Sequence, residues 1–327
     1  MGSRIASLAL RIVFFAALLA VTALAIFHLA AALRETAGLG EDLPPSGQMV
    51  TTGDGVFFTR AKGQSARPQV LFAHGTAAWS GLWEPTLEAV AAAGYHAVAF
   101  DMPPFGYSEH AGDTNYARQR QALRLIALLE TLGTKPIFVA HSVGAGPAAE
   151  AIMMRPDLVS GFIVVDGAIG LNAHETPKSL PFVLRNRGLR AALVAATAAN
   201  PLLTKRFLQD FMHVKGAATP DIVDVLQRPM TRRGYTDAVA AWVPELLVPP
   251  RDAASTRPDN WRALTVPTAF IWGDRDTVTP PAQAETLHAL VTGSQLLMLP
   301  GVGHIPQLEA QPEFQNALLV ALEHVRR

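Results

Sequence analysis

Val139-Ala140-His141-Ser142-Val143-Gly144-Ala145-Gly146 decides how the rest of this chain is read. It follows Pro136 to Ala140, a short apolar run of the kind that forms a buried parallel strand. It precedes Pro147 to Met154, which reads as a helix. A serine between strand and helix, with small residues two positions to either side, matches G-x-S-x-G with Ala140 in place of the first glycine. Such a turn is tight, and bulky side chains at Ala140 or Gly144 would collide with neighbouring backbone. It pushes the Ser142 hydroxyl beyond the strand end and leaves the Val143 N–H facing whatever sits in front.

Two later apolar runs end in ionisable residues. Thr268 to Trp272 leads into Gly273-Asp274-Arg275-Asp276, and Leu296 to Leu299 leads into Pro300-Gly301-Val302-Gly303-His304. A serine hydroxyl is too weakly acidic to attack a carbonyl unless a base takes its proton. His304, in a glycine-rich turn, is the candidate base. An acid must hold the other imidazole nitrogen. Asp276 and Asp274 both follow the Ile271 strand, and Asp166 ends Val164-Val165-Asp166.

With His74-Gly75 after a strand and D-M-P-P-F-G-Y-S at Asp101 to Ser108, these motifs resemble the α/β-hydrolase superfamily, in particular its capped esterase-like members. The resemblance covers roughly residues 48 to 327. It implies a Ser142–His304–Asp276 triad, since W-G-x-x-D places Asp276 at the acid position. Asp274 is then a turn residue, and Asp166 a structural aspartate or an alternative acid. It also implies an oxyanion hole from the N–H groups of Val143 and Thr76. His74 and His141 read as structural. Pro104 departs from the family's loop pattern, which bears on that loop's path. Trp79, Trp83 and Phe105 are candidates for an apolar pocket wall.

The chain has 327 residues, 50% of them hydrophobic and 17% charged, with zero formal net charge. A large core is expected, and the absence of a basic stripe argues against nucleic-acid binding. With no cysteine, disulfides, thiolate metal sites and cysteine nucleophiles are excluded. Neither a metal nor an organic cofactor is called for.

Ile12 to Leu33 is apolar except for Thr22 and His28. At ~1.5 Å per residue it spans roughly 33 Å, enough to cross a bilayer. Arg4 and Arg11 precede it, while Glu35, Glu41 and Asp42 follow. The positive-inside bias puts the N-terminus in the cytoplasm and the remainder on the outer side. Secretion after signal cleavage is the rival, with Ala30-Ala31-Ala32 as a small-residue site.

The expected organisation is a transmembrane anchor at 1–34, a linker at 35–48, an α/β core at 49–167 and 264–327, and a helical cap at 168–263. Strands and helices alternate through the core, which predicts a doubly wound, mostly parallel sheet. The alternation lapses in the cap. Helical patterns at 181–198, 202–212 and 221–226 there are broken by prolines and end at Pro249-Pro250-Arg251.

The function expected is a serine hydrolase cleaving carboxylic esters of a small, apolar type through an acyl-enzyme. Carbon–carbon bond hydrolysis of a diketone-type substrate, lactonase or thioesterase activity would use the same triad. A catalytically silent ligand-binding protein is the alternative outside enzymes.

Overall fold

A computed structural model describes residues 2–173, 175, 178–250 and 252–326, with side chains from residue 8 onward. Arg251 and the Arg4 side chain, both used above, lie outside that description. Eight strands form one sheet: β1 (Gly47–Thr52), β2 (Gly55–Lys62), β3 (Gln69–Ala73), β4 (His96–Phe100), β5 (Ile137–His141), β6 (Gly161–Val165), β7 (Thr268–Gly273) and β8 (Gln295–Leu299). Their order is β1-β2-β4-β3-β5-β6-β7-β8. β2 pairs antiparallel with β1 and β4, and the remaining pairs are parallel.

The helices are α1 (Gly2–Arg34), α2 (Glu84–Ala92), α3 (Arg118–Leu132), α4 (Ala145–Met154), α5 (Phe182–Arg185), α6 (Arg187–Ala196) and α7 (Thr204–Phe211). They continue as α8 (Pro220–Gln227), α9 (Tyr235–Leu247), α10 (Pro258–Arg262), α11 (Pro281–Leu290), α12 (Pro306–Glu309) and α13 (Gln311–Val325).

The central strands are apolar on both faces because helices cover both faces. Leu71, Phe138, Phe162 and Phe270 pack with Leu128 of α3, Ile152 of α4, Trp261 of α10 and Leu287 of α11. Val70, Val139, Ile163 and Ile271 pack on the other side with Leu87 of α2 and Phe314 and Leu318 of α13. Each such side chain contributes up to about 1.5–3 kcal/mol on burial. Parallel strands carried this way bring the loops after β3, β5, β6, β7 and β8 to one sheet edge, where α/β folds bind ligands.

Helices α5 to α9 form a cap between β6 and β7. The expected helix at 181–198 divides at Asn186, whose side chain caps α6 by accepting from Leu189 N–H at 2.9 Å. Helix α9 was hidden by Pro244, which lies inside it. Proline lacks the N–H that would bond the Ala240 carbonyl one turn back; Arg190 Nε donates to that carbonyl instead, at 2.5 Å. Ala191 and Val194 of α6 pack with Tyr235, Val239 and Trp242 of α9. The following Ala254 and Ser255 N–H groups bond Glu150 of α4 at 2.9 and 2.8 Å, returning the chain to the core.

Within Leu8–Arg34 of α1 an unburied 18-residue stretch has a mean hydropathy of 2.6, and the helix is long and apolar enough for a membrane anchor or a signal sequence. Its last turn is fastened to the cap. Arg34 donates to the carbonyls of Met230 and Ala199, each at 3.0 Å. The Glu35 carboxylate accepts the Thr236 N–H at 3.2 Å, and Ala37 N–H bonds Thr231 O at 3.1 Å. The segment read as a linker thus begins docked.

Candidate active site

Ser142 sits at the end of β5 with φ +52°, a left-handed conformation that strains a non-glycine residue by about 1–3 kcal/mol. The turn is as crowded as its small residues imply: a Cβ on Gly144 would lie 2.6 Å from the His74 carbonyl oxygen. The strain aims the hydroxyl at His304. Ser142 Oγ lies 2.8 Å from His304 Nε2, and Asp276 Oδ2 lies 2.8 Å from His304 Nδ1. All three side chains are buried. The line of bonds assigns the imidazole proton to Nδ1, donating to the carboxylate, and leaves Nε2 to accept from the serine.

Asp276 is well held. Its Oδ1 accepts the N–H groups of Val278 and Thr279 at 2.7 and 3.0 Å, and its Oδ2 accepts the Thr279 hydroxyl at 2.6 Å. Burial alone would raise its carboxyl, but His304 and the Thr279 donors outweigh it and hold the group below its ordinary range. Asp274 is elsewhere in the turn, accepting Gly301 N–H at 2.7 Å.

Asp166 ends β6 and is fully buried, with φ +42°. Its Oδ1 accepts Gly273 N–H at 2.9 Å, and its Oδ2 has no partner. Burial, then the Asp276 charge, pushes its carboxyl well above the carboxylate range. Oxygens of both aspartates and a ring nitrogen of His304 fall within 4.8 Å of one another. That donor set does not fit a cation, because both His304 nitrogens and both Asp276 oxygens are already committed to protein partners.

His74 and His141 are each tied to backbone groups. His74 Nε2 accepts Met102 N–H at 2.9 Å while Nδ1 faces Gly75 O at 2.9 Å, and burial drops its pKa to about 4. His141 Nε2 faces the His304 carbonyl at 2.8 Å; burial, then the His304 charge, lowers it to about 3. Asp101 accepts the N–H groups of Ser80 and Tyr107, each at 2.6 Å, and burial raises it to about 6 against those bonds. The Ser108 hydroxyl donates to Asp101 O at 2.6 Å, so the loop closes despite Pro104.

Two cavities meet beside Ser142, sharing His74, Gly75, Phe105, Trp242 and Leu246. One, of about 180 Å³, contains Ser142, His304 and Thr76, with apolar walls such as Leu82, Leu208, Phe211 and Leu226. The other, of about 430 Å³, contains Val143 and Thr279. Among the described residues, neither the Thr76 nor the Val143 N–H is taken by another protein group. Trp83 and Phe105 line the apolar cavity, whereas Trp79 turns away, packing at an angle on Phe58 and edge-on to Tyr107 and donating to Val225 O at 2.7 Å.

Sequence reasoning missed Thr279 and Glu309. Glu309 accepts the N–H groups on both sides of His304, from Gly303 at 3.1 Å and Ile305 at 3.0 Å. It also accepts His213 and Val214 of the cap, both at 2.8 Å. No local motif marks that role; a glutamate five residues beyond a candidate histidine was the only signal.

Comparison with known proteins supplies the family. A sequence model described as alpha/beta hydrolase fold matches residues 68–311. The chain is 28% identical over 225 residues to a 2-hydroxymuconate semialdehyde hydrolase of Pseudomonas putida, covering 66% of this chain and 73% of that protein. It is 26% identical over 230 residues to Lipase 3 of a Moraxella species, covering 68% of each. A crystal structure of a membrane phospholipase A superposes with a TM-score of 0.66 over 100% of both chains at 21% identity, a likeness of fold. A family match over most of the chain, on a sheet of this order and mostly parallel pairing, makes the protein a member of the α/β-hydrolase family and a hydrolase.

Proposed function

We propose that this protein is a membrane-anchored serine hydrolase of carboxylic esters. The observation that carries the reading is the bonded line from Asp276 through His304 to Ser142, with 2.8 Å at each link. Ser142 attacks the ester carbonyl while His304 Nε2 takes its proton. The N–H groups of Thr76 and Val143 hold the oxyanion, and such donors each lower the barrier by about 3–4 kcal/mol. His304 returns the proton to the departing alcohol. Water, deprotonated by His304, then releases the acid and regenerates Ser142. Asp276 stays ionised throughout and stabilises the imidazolium.

The apolar cavity around Ser142 favours an apolar acyl group. A relative named as a semialdehyde hydrolase supports carbon–carbon cleavage as a second reading, since the same triad serves both. Helix α1 spans the bilayer in this reading, with the N-terminus cytoplasmic and the catalytic domain on the outer side; a cleaved signal is the alternative. Hydrolysis of p-nitrophenyl esters by the chain and its Ser142→Ala variant tests the assignment. Turnover that survives in Ser142→Ala rejects the serine mechanism, and no turnover by folded protein rejects ester hydrolysis.

A further inference from the structure

The larger cavity holds two charged side chains that do not touch. Arg118, at the start of α3, is half-buried and lines this cavity. Its guanidinium lies against the elbow helix so closely that a Cβ on Gly146 would come within 2.7 Å of it. It donates to Ile169 O at 2.7 Å, Ser255 Oγ at 3.0 Å and Ala168 O at 3.2 Å. A guanidinium has five N–H groups, so about two remain uncommitted. No carboxylate pairs with it at ion-pair distance among the described residues. Glu245, on α9, lines the same cavity from the cap side. It is half-buried, makes none of the hydrogen bonds described, and is raised from its ordinary value by burial against the pull of Arg118.

The two glutamines of this cavity are occupied. Gln283 donates to Gly167 O at 2.7 Å and accepts Gly170 N–H at 3.3 Å. Gln121 donates to Pro103 O and accepts from Arg124. Unused donor capacity on Arg118 and unused acceptor capacity on Glu245 therefore belong to two residues that line the same space. Half-buried charged groups with hydrogen-bonding capacity left unused are unfavourable, and a ligand that supplies both an acceptor and a donor relieves this.

We propose that this cavity is the alcohol-side subsite and that it takes a neutral polyhydroxylic alcohol, a glycerol-like group, whose hydroxyls accept from Arg118 and donate to Glu245. This deepens the ester-hydrolase reading and rests on it. The charges choose the class. A phosphate would meet Arg118 but also Glu245, and an ammonium the reverse, whereas a hydroxyl both donates and accepts and so suits each wall. The apolar cavity then holds the acyl chain, and the two meet where Ser142 stands.

The test uses the full-length protein in detergent with three esters of one acyl chain: monooctanoylglycerol, ethyl octanoate and octanoyl lysophosphatidylcholine. The expected kcat/KM is about tenfold or more higher for the glyceryl ester than for either other ester, the scale of one hydrogen bond to a charged group. Glu245→Leu, and separately Glu245→Gln, should bring the glyceryl-to-ethyl ratio down several-fold, towards one for the leucine. Melting temperatures establish that both variants fold. Equal rates on glyceryl and ethyl esters, a preference for the phosphate ester, or a ratio unchanged in both folded variants overturns the polyol subsite while leaving the esterase standing. Failure to turn over any of the three overturns the esterase itself, and the subsite with it.

Discussion

The carboxyl groups of Asp166 and Asp276 approach within 4.8 Å of each other at the ends of adjacent strands, both buried. Two carboxylates that close do not both ionise. Asp276 has two N–H donors, a hydroxyl and an imidazole to hold its charge, whereas Asp166 has one N–H. Asp166 therefore keeps its proton, which turns its unpartnered Oδ2 into a donor. The folded chain holds this proton at pH values where the unfolded chain has shed it, so this residue's effect on stability worsens as pH rises above the ordinary carboxylate range. Asp166→Asn should gain stability relative to the parent between about pH 5 and pH 8. Melting curves at both ends check this; a pH-independent difference would show an Asp166 that is ionised throughout. Activity should stay within about tenfold of the parent, and a dead Asp166→Asn beside an active Asp276→Asn would move the acid role to Asp166.

Ser142→Ala and His304→Ala should each lower kcat by roughly 10⁶, because nucleophile and base act as a unit. Asp276→Asn should lower it by about 10⁴, since the amide favours the wrong imidazole tautomer. Single-turnover kinetics with an activated ester, on variants of parental melting temperature, measure both.

The parts of this site that follow a strand end were legible in the chain. Ser142, Asp276 and His304 each close an apolar run, so short-range patterning announces them. Thr279 and Glu309 were not legible, because no motif singles out a threonine three residues past the acid or a glutamate five past the base; Arg118 and Glu245 were not, because what matters about them is the cavity they share across the fold. The sheet could be read from runs of β-branched and aromatic residues. Helix α9 could not, because Pro244 hides it and the compensating donor, Arg190, comes from another helix. Trp79 shows the limit from the other side: an aromatic near the expected pocket packs behind it instead.

Glu309→Ala should disturb His304 without touching it. The substitution strips the acceptor from the Gly303 and Ile305 N–H groups and loosens the loop that carries the imidazole. We expect kcat to fall about ten- to hundredfold, with a smaller change in KM, the scale of losing hydrogen bonds to one charged group. A kcat within twofold of the parent would show that the loop is held by other contacts.

Glu35→Ala should release the end of α1 from the cap. The loss leaves the Thr236 N–H without its acceptor and is worth about 1–3 kcal/mol. Limited proteolysis in detergent should then cut faster around residues 34–38, while hydrolysis of a soluble short-chain ester changes little. Unchanged proteolysis would show that Arg34 and Ala37 suffice to hold the junction.

Arg34, Glu35 and Ala37 fasten α1 to the cap rather than to the sheet. If α1 lies across a bilayer, the lid is the stationary part of the enzyme and the catalytic half hangs from it. Opening the site would then mean swinging the sheet, with Ser142, away from a roof fixed at the lipid surface.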